Sequence, residues 1–177
     1  MKILSTQKLF WQVTLISGLT FGTMLGIGII WGIKLLVFRG YDPTTASNIN
    51  STIWFGFGIG SLVGHVIADK IRSFKLTSIF FLSCELISLL LLTLLSEIPT
   101  LIAYVIFLSI GFFNGVSSMC YTMTTRFCGK TIAGTAFGLL TCMSFVLAAL
   151  LMPIPAKLVA YSNITLTVAA LVFPAAM

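Results

Sequence analysis

Apolar residues in this chain run in long blocks instead of alternating with polar ones. Six blocks cover Phe10–Phe38, 46–68, 76–95, 101–124, 132–152 and 158–177, and each holds at least 20 residues. A helix needs about 20 such residues to cross a hydrocarbon core roughly 30 Å thick. In lipid, every backbone N–H and C=O must find a partner inside its own segment, so continuous blocks predict helices. A transmembrane barrel would show short alternating strands. The pattern predicts one all-α polytopic membrane domain over residues 1–177, with six transmembrane helices at these positions. The first block is too long for the apolar part of a cleaved signal, and no small-x-small site follows it. It is long enough to tilt or to project past the membrane.

The gaps between blocks carry turn chemistry. Arg39-Gly40-Tyr41-Asp42-Pro43 ends the first helix, and Thr44 or Ser47 is expected to cap the second. Ser96-Glu97-Ile98-Pro99-Thr100 predicts a tight hairpin between the third and fourth. Pro153 and Pro155 interrupt the end of the fifth, since neither donates a helical hydrogen bond.

Composition strengthens the membrane reading. The chain is 58% hydrophobic and 8% charged, against about 25% charged in soluble domains. That excludes a soluble enzyme, a disordered chain and a disulfide-stapled secreted domain. The net charge of +6 comes from ten Lys and Arg against four Asp and Glu. These charges sit mostly between the blocks, so they set topology instead of binding nucleic acid. Seven (Lys2, Lys8, Lys70, Arg72, Lys75, Arg126, Lys130) fall on one side and three (Lys34, Arg39, Lys157) on the other. This puts both termini in the cytoplasm and the chain in the cell (inner) membrane. Four cysteines without a C-x-x-C pair, and one histidine, provide no zinc set. No metal, no cofactor and no enzymatic constellation is expected. The thiols are expected to act as small buried hydrophobes.

Glycines stand at spacing four: Gly18, Gly22 and Gly26; Gly56, Gly60 and Gly64; Gly111 and Gly115; Gly134 and Gly138. Small-xxx-small stripes let helices approach closely in lipid, for static packing or for sliding. Two charged residues lie inside the blocks. Lys34 is near its block's end and can snorkel outward. Glu85 is near the bilayer midplane, where an ionised carboxylate costs at least about 2.5 kcal/mol. It is either a proton-coupling or substrate-contact carboxylate, or a neutral carboxyl hydrogen-bonded to a neighbouring helix. Ser78 and Ser88 share its weak polar stripe. His65 lies one turn before Asp69, as a structural hydrogen-bonding group or a pH sensor. Asn114, between Gly111 and Gly115, is expected to bond across helices. Trp11, Trp31 and Trp54 suit interface anchoring.

The order of these features resembles half of a major facilitator superfamily transporter. The Gly-rich second helix runs into Asp69-Lys70-Ile71-Arg72-Ser73-Phe74-Lys75, which resembles that family's signature loop. Gly111-Phe112-Phe113-Asn114-Gly115 and Ala133-Gly134-Thr135-Ala136-Phe137-Gly138 resemble its tenth and eleventh helices, and Trp31-Gly32 with Ala46-Ser47 its seventh and eighth. The resemblance is to the C-terminal half and spans essentially the whole chain. The chain departs from the pattern at His65, where the family has the loop glycine. Arg72, Ser73 and Phe74 replace a glycine and a basic pair. Arg126 and Lys130 replace an acidic residue and a proline, and Ala148 and Ala149 replace late glycines.

The resemblance implies secondary-active transport of a small polar solute by alternating access. Trp31, Asn50, Asn114 and Tyr121 would line the path. Asp69, Lys70 and Arg72 would form a cytoplasmic gating loop, and Glu85 would be a coupling candidate on a peripheral helix. The implied partners are the lipid bilayer, the solute and a second six-helix half, as a separate chain or a homodimer. Half a transporter, ending at Met177 without a charged tail, also fits a truncated or split gene. The alternative function is a non-transporting subunit or decayed fragment that only packs against a partner.

Overall fold

A computed structural model describes residues 8–95, 98–128 and 132–153. These residues are helical, with no strand among them. Five helices are long and apolar enough to cross a membrane: Phe10–Phe38, Pro43–Ile71, Phe74–Leu94, Thr100–Arg126 and Ala133–Leu151. We call them spans 1 to 5. The sixth expected span, 158–177, lies outside the described residues, as do Lys2, Lys130 and Lys157 of the charge count.

Spans 1 and 4 depart from the expected continuous helices. Span 1 comprises α1 (Lys8–Leu25), a π-helical segment (Gly26–Trp31) and α2 (Gly32–Phe38). The amide of Gly32 reaches back five residues to the carbonyl of Ile27, where an α-helix reaches four. Span 4 is α5 (Thr100–Asn114) followed, after Gly115, by α6 (Val116–Cys128). There the turn tightens instead of widening: Gly115 N–H donates to the Phe112 carbonyl at 3.2 Å. Spans 2, 3 and 5 are single helices, α3 (Pro43–Ile71), α4 (Phe74–Leu94) and α7 (Ala133–Leu151).

The connections follow from a few residues. Gly40, at φ +88°, turns the chain out of α2, and Tyr41 N–H closes the motif on the Leu36 carbonyl at 3.1 Å. The cap of α3 is neither Thr44 nor Ser47. Asp42 accepts from the Thr44 amide at 3.0 Å, and Pro43 takes the first helical position, where no N–H is needed. Those hydrogen bonds hold the Asp42 carboxyl below the usual carboxylate range. The Arg39 guanidinium donates to the Leu92 carbonyl at 2.5 Å, and the Tyr41 hydroxyl donates to the Ile98 carbonyl. The first connection is thereby tied to the third, and burial pushes the Tyr41 phenol up.

Packing is dominated by two pairs, span 2 on span 4 and span 1 on span 5. In the first, backbone meets backbone. A Cβ added at Gly60 would overlap the Phe112 carbonyl, and one at Gly111 the Ile53 carbonyl. Gly56 faces Leu108 and Phe112, and Gly115 faces Gly60 itself. In the second pair Gly22 lies against Ala148 and Gly18 against Leu147. At Gly134 and Gly138 no contact stripe is seen among the described residues, where nothing lies within 4 Å of a Cβ added at either. Outward faces carry Phe55, Leu62, Val66 and Leu101, each at least two-thirds exposed, as expected for side chains that meet lipid tails. Cys142 is exposed among them, contrary to the expected burial, while Cys120 is buried.

Candidate functional site

Polar side chains buried between spans 1, 3, 4 and 5 form two groups, and the helix breaks flank both. The first surrounds a cavity of about 240 Å³ lined by Ser17, Phe21, Phe57, Ser117, Ser118 and Tyr121. These come from spans 1, 2 and 4. Span 5 closes the group through two hydroxyl contacts: Ser144 Oγ to Ser17 Oγ at 3.2 Å, and Tyr121 Oη to Thr141 Oγ1 at 3.0 Å. The Tyr121 ring also meets Phe137 edge-on, and Phe21 meets Phe145 in the same way. Apart from Tyr121, no ionisable side chain lines the cavity among the described residues. Its chemistry is therefore hydroxyl groups and aromatic faces, able to hydrogen-bond a small polar solute without a fixed counter-charge.

The second group is centred on Asn114, which is fully buried at the end of α5. Its Nδ2 donates to the Thr20 carbonyl of span 1 and to Glu85 Oε1 of span 3, both at 2.7 Å. Ser117 Oγ donates back to the Asn114 carbonyl at 3.0 Å. Three spans are joined by one amide. The expected bond across helices at Asn114 is present, and so is a hydrogen bond from a neighbouring helix to Glu85. Ser78 and Ser88 are buried on the same face of α4 as Glu85.

Asn50 plays a parallel part at the other break. It is buried on α3, and its Nδ2 donates to the Gly28 carbonyl inside the π segment at 2.7 Å. A π turn shifts backbone carbonyls out of the ordinary ladder, and a side-chain amide is a suitable donor for one. Gly32 leaves the room: a Cβ there would collide with Asn50 Oδ1 and the Ile27 carbonyl. Trp31, at the end of the segment, donates Nε1 to the Met152 carbonyl at 3.3 Å and carries the Lys34 ammonium 5.2 Å from its ring centroid. It lines a separate cavity of about 260 Å³ with Gly22, Thr23, Gly26 and Ile27.

Of the four residues expected along one path, Tyr121 lines the hydroxyl cavity and Trp31 a different one. The amides of Asn50 and Asn114 are engaged with backbone carbonyls. Sequence reading missed Ser17, Ser117, Thr141 and Ser144. Their signal was hydroxyl residues recurring on the inward stripes of three glycine-bearing blocks.

The expected gating loop needs correction. Asp69, Lys70 and Ile71 belong to α3, Phe74 already starts α4, and only Arg72 and Ser73 form the turn. Helix propagates through charged residues once they have left the hydrocarbon, so hydropathy set the end of span 2 too early. Arg72 sits at φ 56°, in the left-handed region that ends helices and favours glycine. Arg126 Nη2 pairs with Asp69 Oδ1 at 3.2 Å, linking α3 to α6, and its guanidinium lies 4.2 Å from the Phe74 ring centroid. His65 Nδ1 donates to the Ser61 carbonyl at 2.6 Å, and its Nε2 meets Thr122 Oγ1 at 2.8 Å. No trio of His, Cys, Asp or Glu could hold a metal among the described residues.

Compared with protein-family models and with curated proteins, the chain matches none.

Proposed function

We propose that this chain is one half of a major-facilitator-type carrier, moving a small polar solute by alternating access across the cell (inner) membrane. The observation that carries the reading is the uncharged hydroxyl and aromatic cavity among spans 1, 2 and 4, with a glycine-containing break in each of spans 1 and 4. Interrupted helices in corresponding positions of a repeat mark binding sites in secondary transporters.

The packing supports the same reading. A six-helix half is built from two three-helix repeats, which relate span 1 to span 4 and span 2 to span 5. Exchanging the repeats turns the pair of spans 1 and 5 into that of spans 4 and 2, and these are the two dominant contacts. Arg72 adds a local argument. It stands where the resemblance expects a glycine, and its backbone is in the conformation glycine favours.

In this reading Tyr121 and its hydroxyl neighbours contact solute, and Trp31 lies further along the path. Asn50 and Asn114 hold the two breaks in place. Asp69 with Arg126 latches the end where basic residues collect, which is the cytoplasmic end, with both chain termini. Lys70 and Arg72 flank that latch. A sixth span completes the half, and a second half, as another chain or a second copy, covers the cavity's open side.

The test is uptake into vesicles reconstituted with the chain, alone and with a co-expressed partner half, using a panel of radiolabelled neutral amino acids, sugars and nucleosides. Saturable uptake that falls at least about tenfold in Tyr121→Ala is expected, the loss of one positioned hydrogen bond and its ring contacts. Stable co-purification with another membrane chain, without uptake of any solute, would favour a non-transporting subunit instead.

A further inference from the structure

Two hydroxyls on the wall of the hydroxyl cavity are each backed by one from span 5. Ser17 Oγ accepts from Ser144 Oγ, and its own hydrogen goes to no described residue. Tyr121 Oη and Thr141 Oγ1 share one hydrogen bond, which uses one of their two hydrogens. Ser117 spends its hydrogen on the Asn114 carbonyl and offers lone pairs, and Ser118 adds a further hydroxyl. Donors and acceptors therefore stand side by side on the wall. Thr141 and Ser144 are three positions apart, which sets the two backed pairs about 4.5 Å apart along α7.

A charged group finds no answer there. An ammonium brings only donors, and the Ser17 hydrogen would oppose it. A carboxylate brings only acceptors, and the Ser117 lone pairs would oppose that. The start of α6 does not stand open to an anion, since the amides of Ser118 and Met119 already donate to the Gly115 carbonyl. An ion or a zwitterion would thus give up its hydration without meeting a counter-charge. A hydroxyl on the solute donates and accepts at once, and so matches this mixture.

The rest of the wall is apolar. The rings of Phe21 and Phe57 lie 6.5 Å apart between centroids, inclined at 50°. A cyclic polyol carries both kinds of surface, hydroxyls around its edge and C–H bonds on its faces. At about 240 Å³ the cavity is smaller than the sites of roughly 300–1,000 Å³ that hold drug-sized ligands, which limits the solute to a single ring.

We propose that the cavity takes an uncharged single-ring polyol, a monosaccharide or a cyclitol, with hydroxyls on Ser17 and Tyr121 and a ring face against Phe21 and Phe57. This names the solute class for the transport reading and rests on it for its role. The binding itself can be measured without transport.

The full chain in lipid nanodiscs is titrated with glucose and myo-inositol, followed by saturation-transfer NMR. Glucosamine and glucuronate carry a similar ring with one charge, uracil is a neutral ring without hydroxyls, and threonine is a hydroxylated zwitterion. Saturable binding of glucose or myo-inositol is expected, with the other four at least about tenfold weaker. Binding of any of those four as tightly as the polyols, or of no probe, overturns the proposal. Saturable uptake of threonine instead of a polyol would overturn it and keep the transport reading. Polyol binding without uptake in any reconstitution would remove the transport reading and leave this one standing.

Tyr121→Phe keeps the ring and removes the hydroxyl. It should weaken the bound polyol about fivefold, the loss of one hydrogen bond. Among monodeoxy analogues of that polyol, the one lacking the hydroxyl held by Tyr121 should bind parent and variant alike. If every deoxy analogue loses as much in the variant as the intact polyol does, the Tyr121 hydroxyl does not touch the solute and the site as drawn is overturned.

Discussion

The seam between spans 2 and 4 and the contacts that span 1 makes with spans 2, 4 and 5 are both written in small residues, yet they are opposite kinds of contact. In the seam, glycines of α3 and α5 bring two backbones together, leaving no room for a single added carbon at Gly60 or Gly111. Around span 1, serine, threonine and asparagine side chains hold helices through hydrogen bonds and leave cavities between them. A dry backbone contact has one arrangement, because interiors packed at this density do not deform continuously. A hydroxyl-lined contact can exchange partners at little cost. The molecule thus pairs a fixed seam with an adaptable face; the π segment lies on the adaptable side, held by Asn50, and the break at Gly115 lies against Gly60 in the seam.

Breaking the seam should have the largest effect. Gly60→Leu forces side-chain atoms into the Phe112 backbone, so a loss of about 3 kcal/mol or more is expected, read as failed expression or a collapsed melting transition in detergent. Gly138→Leu, with open space around it among the described residues, should melt with the parent. Equal losses at the two sites would dissolve the comparison.

Asn50→Leu tests the adaptable side. It leaves the buried Gly28 carbonyl without its donor, at an expected cost of about 1–3 kcal/mol in thermal unfolding. Hydrogen exchange should rise in the π segment and stay unchanged in the seam. A uniform rise would mean that the two regions open together.

Acid should act locally, at the start of α3. The Asp42 carboxylate is held below its ordinary range, chiefly by its hydrogen bonds to Thr44. Its capping contribution is therefore complete above the unfolded-state value and is lost as pH falls through the lower folded-state value. Asp42→Asn keeps a capping oxygen and should flatten that acid-side loss, visible as a smaller difference in exchange at Thr44 between neutral and acid pH.

The smallest effect belongs to the Asp69–Arg126 pair, whose side chains are more than half exposed. Asp69→Asn should cost about 0.5 kcal/mol or less and should do so only at low salt. If the pair latches one state of a carrier, the same change should alter uptake rate more than melting.

How much of this was legible in the sequence differs from region to region. The positions of the five described spans were readable to within three or four residues, because lipid exposure rewards apolar side chains at every turn. The end of α3 was misplaced because hydropathy reports where the hydrocarbon stops, and a helix needs only its hydrogen bonds to continue through Asp69 and Lys70. The Asp42 cap lies ahead of the apolar block, where hydropathy carries no signal, although Asp-Pro is itself a helix-start signal. Glu85 announced itself as an acidic residue in an apolar block. Its partner Asn114 was recognised as a residue that bonds across helices, but nothing local joined the two, which stand 29 positions apart. The π segment left only the faint mark of Gly26, Gly28 and Gly32.

By itself the sequence determined the class of molecule: helices long and apolar enough to cross a membrane, and their approximate ends. Each of these is decided within one segment, since hydrocarbon makes every segment satisfy its own backbone. The tertiary structure alone decided which glycines touch, since Gly60 meets Phe112 while Gly134 and Gly138 meet nothing among the described residues. It also decided that one amide joins three spans and that Glu85 keeps an oxygen without a donor among the described residues. Those outcomes depend on the register and rotation of helices far apart in the chain, and helix faces that carry similar small residues do not encode which of them will meet.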